Sequence, residues 1–293
     1  MLGQTLSKQL KRGKLRRIGK PLYEGLIASQ LWWLRWNERK LPAFDAPLVD
    51  EKLTAIIKTF ERPETVARLL KSLRRFYPNM RVIVVDDSAK PIERAGVQNI
   101  HLPYDSGVSA GRQKALEAVQ TPYVLLLDDD FIFYALTRLE EALERIEKEE
   151  KIDIMGGEVI NLPSFRSADY RHARLHRTDA GSLMPPGSRM GGLPVYDKVP
   201  NFYIARTQRL KLVGWDARIK RLDHADFFTR AKGVLLTVYN KEFKILHAQT
   251  PHNTTYMRKR HEVEQDRMVL RMKYYADVSG SAQSFNKRQK IKR

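Results

Sequence analysis

The chain has 293 residues, of which 42% are hydrophobic and none is cysteine. This length and composition are ordinary for one large globular domain, and the absence of cysteine excludes disulfides and thiolate metal sites. The 53 lysines and arginines outnumber the 34 acidic residues, for a formal net charge of +19, which favours an anionic partner such as a lipid surface or a nucleic acid.

The first 41 residues are basic and aromatic, with ten lysines or arginines against two glutamates. Apolar side chains recur at roughly helical spacing, at Leu15, Ile18, Leu22, Leu26, Trp33 and Trp36. Trp32 and Trp33 beside Arg35 are typical of a helix that lies on an anionic membrane. A helix docked on the catalytic domain accounts for the same pattern, and the sequence leaves both interpretations open.

A strand, a helix and a second strand follow in order. The apolar run at residues 53–60 predicts a buried strand, and Pro63 is well placed as the first residue of a helix. The apolar positions of that helix recur every three or four residues as far as Tyr77, so one face is expected to pack on a sheet. The second strand, at residues 81–85, ends in Asp86 and Asp87.

A further helix, at residues 109–119, leads to the apolar run at residues 123–127, which ends in Asp128, Asp129 and Asp130. Ligands of open parallel sheets bind beyond the carboxyl ends of the strands, where these carboxylates are expected to lie. A divalent cation carrying diphosphate oxygens would offset the repulsion among three like charges. A solvated acidic turn or a helix cap is the alternative for the triplet alone.

Several motifs in order carry a resemblance to a known family. Between residues 58 and 207 the chain contains KTFERPETVARLLKSLRRFYP, VIVVDDS, SAGRQKALEAVQTPYVLLLDDDFIF, MGGEV and NFYIART. It resembles the family 2 glycosyltransferases of GT-A fold, in particular the ganglioside and glycoprotein β-1,4-N-acetylgalactosaminyltransferases. The resemblance covers about residues 53–247 and implies an α/β fold with a Rossmann-like, mostly parallel sheet flanked by helices.

The resemblance also implies a reaction. A sugar, with N-acetylgalactosamine as our best candidate, would pass from a UDP-sugar donor to a hydroxyl of a surface glycan or glycolipid, with Mn2+ or Mg2+ as cofactor. Asp128 and Asp130 resemble the family's Asp-x-Asp metal motif, and His247 falls where the fold often places a third metal ligand. The predicted donor-binding residues are Thr59, Glu61, Arg62, Asp86, Asp87, Arg112, Asp128 and Asp129. For each of them, a helix cap or a structural ion pair is the alternative role.

Transfer also needs a base that accepts the proton of the acceptor hydroxyl. The segment RLDHADFF at residues 221–228 resembles the base-bearing segment of the family, and we predict that Asp226 is the base. Asp223 is the alternative, although it also suits a cap of the helix that follows. Asn201 and Trp215 are candidate acceptor contacts, with a structural role equally open for Trp215.

We divide the chain into a basic amphipathic extension at residues 1–48, a catalytic domain at 49–255 and a basic helix and tail at 256–293. The last segment has eleven lysines or arginines against four acidic residues. The sequence shows no uninterrupted apolar stretch of membrane-spanning length and no clear cleavable leader. We therefore expect a bacterial cytoplasmic protein, peripheral at the inner face of the membrane.

Two other functions compete with this interpretation. A nucleotidyltransferase needs the same carboxylates, but it would usually carry a Gly-rich basic phosphate loop after the first strand, where this chain has Thr-Phe-Glu-Arg at residues 59–62. A nucleic-acid-binding protein fits the charge. No zinc-finger, RNP or helix-turn-helix pattern supports it, so nucleic acid is an unlikely partner on this sequence.

Overall fold

The computed structural model describes residues 14–38 and 46–276, with side chains from residue 19 onward. The helices are α1 (Lys14–Glu38), α2 (Pro47–Lys52), α3 (Pro63–Phe76), α4 (Val108–Ala118), α5 (Leu139–Lys148), α6 (Thr207–Val213), α7 (Asp223–Ala231), α8 (Thr254–Arg260) and α9 (Glu264–Tyr275). The strands are β1 (Leu53–Thr59), β2 (Arg81–Asp86), β3 (Gln98–His101), β4 (Tyr123–Asp128), β5 (Phe131–Ile132), β6 (Ile154–Asn161), β7 (Arg166–Ser167), β8 (Arg189–Met190), β9 (Leu193–Pro194), β10 (Tyr203–Arg206) and β11 (Thr237–His247).

One sheet organises the molecule, in the strand order β3-β2-β1-β4-β10-β6-β11-β5, with β7 beside β6. The strands β1, β2, β3 and β4 run parallel, and β10 is antiparallel to both of its neighbours. The register places Thr59 opposite Asp86 and Lys58 opposite Asp128. The carboxyl ends of β1, β2 and β4 therefore lie side by side, as the apolar runs that end in acid predicted.

Two apolar clusters sandwich this sheet. Helices α3 and α5 pack on one face, where Val66, Leu69 and Leu73 of α3 are fully buried. Helices α4, α6 and α7 pack on the other face, and Phe227 and Phe228 of α7 join that cluster. Each fully buried leucine or phenylalanine contributes about 1.5–3 kcal/mol to folding, so this sandwich fixes the sheet edge that carries the acidic residues.

Helix α1 docks on the domain through one face. Its Ile27 is buried in a third apolar cluster, with Tyr23, Leu31 and Leu34 packed around it. At its end, the buried Glu38 accepts a hydrogen bond from the backbone N–H of Ala135 at 2.7 Å. Of the two interpretations of this segment, a helix docked on the catalytic domain therefore describes the inner face of α1. No helix in the described part of the chain is both long enough and apolar enough to cross a membrane.

The predicted basic C-terminal helix is divided in two. The structure has α8 and α9, separated by residues 261–263. The buried carboxylate of Asp266 explains the break, because it accepts hydrogen bonds from the backbone N–H groups of Lys220, Arg221 and Leu222. These bonds attach the first turn of α9 to the loop before α7.

Candidate active site

A cleft opens at the carboxyl ends of β1 and β4, where the predicted site lies. It has a volume of about 190 Å³. The lining consists of Lys58, Phe60, Arg62, Asp105, Gly107, Val108, Arg112, Asp128, Asp129, Asp130, Asn201, Lys220, Arg221, Asp223, His247, Tyr256, Lys259 and Arg260. Seven of these side chains are lysine or arginine and five are aspartate, so the cleft has a formal charge of +2 and favours an anionic ligand.

Arg62 lies at the centre of the donor side of this cleft. The guanidinium, only 7% exposed, pairs with Asp129 and lies 3.0 Å from Asp130. Its flat face stacks on the ring of Tyr256 from α8, at 3.7 Å from the ring centre. Burial raises the pKa of a carboxyl group, and the nearby charge of Arg62 lowers it. Burial dominates at Asp129, whose pKa is raised. At Asp130, Arg62 and His247 together outweigh burial, and the pKa is lowered.

Asp130 faces His247 in a geometry that suits a cation. The side-chain N–H of Asn161 donates to the carbonyl of Arg166 at 2.9 Å. This bond orients the side-chain oxygen of Asn161 toward His247 Nδ1, at 2.8 Å. His247 Nδ1–H therefore donates to Asn161, and Nε2 points at Asp130 Oδ1 at 3.2 Å. The unprotonated Nε2 and the carboxylate oxygen are both hydrogen-bond acceptors, so at this distance a proton or a cation must lie between them. Two adjacent ligands of an octahedral Mg2+ or Mn2+ are separated by about 3.0 Å.

Asp128, the remaining predicted metal ligand, does not join Asp130 and His247. Asp128 turns to Arg112, whose Nη2 donates to it at 2.6 Å. Within residues 14–38 and 46–276, no group of three or more histidine, cysteine, aspartate or glutamate side chains is arranged to hold a metal. Asp130 and His247 fit a divalent cation as two protein ligands, and oxygens of a diphosphate or water would complete its coordination.

Arg112 links the two halves of the cleft. It is 4% exposed, and its guanidinium pairs with Asp128 at the end of β4 and with Asp223 at the start of α7. Burial raises the pKa of Asp223, although Arg112 opposes the shift. A carboxylate with a raised pKa on the wall of a cleft is suited to accept a proton.

The position of Asp226 conflicts with its predicted role as the base. It does not line the cleft, and both of its oxygens are occupied by donors. Lys273 and Tyr274 of α9 donate to Oδ1 at 2.7 and 2.6 Å, and Arg230 donates to Oδ2 at 2.9 Å. Burial favours a higher pKa for Asp226, but these donors outweigh it and lower the pKa. The geometry therefore gives Asp226 a structural role and favours Asp223, the alternative base.

Four other predicted donor-binding residues are not among those that line the cleft. Thr59 donates to Asp129 at 2.7 Å, and Glu61 accepts from the N–H of Ala89 at 2.7 Å. Asp86 pairs with Arg94 at 3.2 Å. These three contacts tie together the loops at the strand ends, and the donor-binding role of these residues stays a prediction.

Asp87 is the fourth of these residues. It pairs with Lys58 at 2.7 Å and accepts from the N–H of Gly107 at 2.8 Å. Gly107 has φ of 103°, and an added Cβ would lie 2.7 Å from Lys220, so only glycine fits there. Asp87 thus places two residues, Lys58 and Gly107, that do line the cleft.

The sequence did not lead us to predict four basic residues that line the cleft, namely Lys220, Arg221, Lys259 and Arg260. Asp105 gathers three cations, with Arg221 at 2.6 Å, Lys220 at 3.7 Å and Lys259 at 3.8 Å. Arg260 also lines the cleft. The cluster at residues 258–260 was visible in the sequence, but we assigned it to a tail beyond a domain boundary at residue 255. The cleft takes in residues on both sides of that boundary.

The two candidate acceptor contacts differ. Asn201 lines the cleft near Asp223 and Asp128. Trp215 is 6% exposed and stacks on Phe227 with ring centres 5.1 Å apart, so its observed contacts are with the core. Of the two roles left open for Trp215, its packing supports the structural one.

Comparison with known proteins now assigns the fold and the family. Residues 54–208, more than half of the chain, match the family described as "Glycosyl transferase family 2". The chain belongs to glycosyl transferase family 2. Human beta-1,4 N-acetylgalactosaminyltransferase 1 is 37% identical over 200 residues, and mouse beta-1,4 N-acetylgalactosaminyltransferase 2 is 36% identical over 196 residues. These alignments cover 62% and 63% of this chain but only 36% and 37% of the relatives.

Solved structures agree with this family 2 assignment at the level of fold. S. aureus TarS 1-349 in complex with UDP-GlcNAc superimposes with a TM-score of 0.53 at 17% identity, over 68% of this chain and 59% of that one. TarS 1-349 alone gives 0.53 at 15% identity, over 81% and 77%. The predicted GT-A fold and family resemblance are confirmed.

Proposed function

We propose that this family 2 protein is an inverting, metal-dependent glycosyltransferase that moves N-acetylgalactosamine from UDP to a hydroxyl of a glycan or glycolipid. The observation that carries the proposal is the cleft in which Asp130 and His247 lie on one side and Asp223 on the other, joined through Arg112 and Asp128. The similarity to N-acetylgalactosaminyltransferases supports the choice of sugar.

The electrostatics of the cleft support a diphosphate on the donor side. Its formal charge of +2 matches the two negative charges of a nucleotide diphosphate sugar. Lys220 and Arg221 share one carboxylate, Asp105, so an incoming diphosphate would gain cations that are only partly neutralised. Lys259 lies 3.8 Å from the same carboxylate and 3.0 Å from Glu262. A volume of about 190 Å³ is below the 300–1,000 Å³ of usual ligand pockets. We therefore expect donor binding to open some of these ion pairs.

A divalent cation held by Asp130 and His247 would stabilise the charge that develops on the departing UDP. Asp223 supplies the proton chemistry. The acceptor oxygen forms a bond to the anomeric carbon while the bond from that carbon to the β-phosphate oxygen breaks, and the electron pair leaves with UDP. The acceptor proton passes to Asp223, and attack on the face opposite the leaving group inverts the configuration.

A binding screen with the purified chain tests the donor class. We expect Mn2+ and UDP-GalNAc together to raise the melting temperature, because a ligand that binds only the folded state stabilises it. UDP-GlcNAc, UDP-Gal, UDP-Glc, GDP-mannose and CMP-sialic acid serve as comparisons. Stabilisation by a GDP- or CMP-sugar alone would reject UDP as the donor nucleotide. Stabilisation by a nucleoside triphosphate with release of pyrophosphate would instead support a nucleotidyltransferase.

A further inference from the structure

The outward side of α1 carries a patch of large apolar side chains, which we call the outer face of α1. It consists of Leu22, Leu26, Trp32, Trp33 and Trp36. Leu22 is 66% exposed, and Trp32 and Trp33 are 61% and 59% exposed. Tryptophan is rarely left so open to water, and three of the four tryptophans in the chain lie here.

Among the side chains that the structure describes, from residue 19 onward, no charged residue lies on this face. At 3.6 residues per turn, its five members fall within an arc of roughly 120°, together with the small residues Gly25 and Ser29. The charged residues of the described side chains, Lys20, Glu24, Arg35 and Glu38, all fall outside that arc. Such a separation of apolar and charged sides is typical of a helix that lies in a membrane interface.

The opposite side holds the helix rigidly beside the active site. The hydroxyl of Tyr23 donates to the carbonyl of Gln249 at 3.2 Å, two residues beyond His247. Its ring also meets His252 edge-on at 5.6 Å. Packing of Ile27 in the third apolar cluster completes the attachment. The outer face is thus presented at a fixed position close to the metal side of the cleft.

Charge decides which partner fits this face. The chain has a net charge of +19, and its first 41 residues alone hold ten lysines or arginines against two glutamates. A second copy would bring an equally positive surface and be repelled, whereas anionic phospholipid headgroups attract it. Tryptophan side chains are favoured at the boundary between headgroups and acyl chains, where the ring is apolar and its N–H finds a partner.

We propose that the outer face of α1 is a membrane-docking surface that inserts into an anionic phospholipid bilayer. The docked helix then sets the cleft at the membrane surface, within reach of a lipid-linked acceptor. The insertion of the face does not depend on the transferase activity proposed above, so the two claims fail separately.

Vesicle binding of the full chain tests the proposal. Vesicles of phosphatidylcholine mixed with phosphatidylglycerol are expected to bind the protein, and vesicles of phosphatidylcholine alone to bind it more weakly. Brominated acyl chains should quench the fluorescence of the three exposed tryptophans, while Trp215 in the core is not reached. Leu22→Glu should weaken binding roughly tenfold or more, since it removes a buried leucine from the bilayer.

Leu212→Glu is the matched control, because Leu212 is 65% exposed on α6, away from this face, and it should leave vesicle binding unchanged. Melting temperatures of both variants exclude a folding defect. Equal binding by Leu22→Glu and wild type, or the absence of bromine quenching, would overturn the proposal. A wild-type dimer in sedimentation that Leu22→Glu dissociates, without vesicle binding, would assign the face to a second copy.

Discussion

Asp223→Asn is expected to reduce sugar transfer by roughly 10²–10⁴-fold, the usual contribution of a general base. The donor should still bind, because asparagine keeps an oxygen that accepts from Arg112, whose pairing with Asp128 at 2.6 Å is untouched. Steady-state rates with saturating donor, together with donor affinity from titration calorimetry, separate the two effects. Retention of wild-type rates by Asp223→Asn would reject this residue as the base.

Asp226 provides the matched control for that variant, because it is the same residue type one helical turn away in α7. Asp226→Asn should keep most of the transfer rate but lower the melting temperature, since Lys273, Tyr274 and Arg230 lose a charged acceptor. Breaking a buried ion pair costs about 3 kcal/mol, and less where the partners are partly exposed. A loss of transfer in Asp226→Asn with unchanged stability would restore the role predicted for it from the sequence.

Asp130→Asn is expected to weaken Mn2+ binding in the presence of UDP by at least 10–100-fold, a loss that even supporting residues of metal sites produce. Within the part of the chain that the structure describes, the geometry offers Asp130 and His247, 3.2 Å apart, as ligands. Electron paramagnetic resonance of free Mn2+ measures this affinity without an acceptor and without turnover.

Asn161→Ala and Asp128→Asn refine that measurement. Asn161 fixes the orientation of His247 through a hydrogen bond of 2.8 Å, so its loss should also lower Mn2+ affinity. Asp128 pairs with Arg112 instead, and its replacement should affect Mn2+ affinity less than Asp130→Asn does. If Asp128→Asn caused the larger loss, the three-ligand site predicted from the sequence would be the better description.

The sequence predicted the sheet edge because its signal is local. Apolar runs that end in Asp86 and Asp128 indicate buried parallel strands, and in the structure both strands pair with β1 in parallel. Helix α3 was equally predictable, because its signals, the apolar spacing and Pro63 at its start, do not depend on contacts with distant residues. The complete fold was predicted from the resemblance to a known family, which rests on motifs spread over residues 58–207.

The site was less predictable because its partners are distant in sequence. Asp223 and Asp226 lie three residues apart, and only their contacts tell them apart: Arg112 lies 111 residues from Asp223, and Lys273 lies 47 residues from Asp226. Burial and hydrogen bonding by those groups determine which carboxylate faces the cleft. The residue sequence alone contains no signal for either pairing.

The terminal segments show the same limit. Residues 258–260 look like part of a basic tail. Contacts that are distant in sequence hold this segment at the cleft: Asn253 donates to the carbonyl of Glu61, 192 residues away, and the ring of Tyr256 stacks on Arg62. Helix α1 carries apolar residues on two sides, so one side could satisfy docking and the other remains exposed. Much of the predicted tail, at residues 277–293, lies outside the described residues.

The most direct test of the proposed function is proton NMR of the sugar released when the purified chain hydrolyses UDP-GalNAc in the presence of Mn2+. Water replaces the acceptor in this reaction, so the unknown glycan is not needed. The donor has the α configuration, and displacement from the opposite face should give the β anomer of N-acetylgalactosamine before mutarotation. Initial appearance of the α anomer, or turnover that persists unchanged without a divalent cation, would contradict an inverting, metal-dependent transferase.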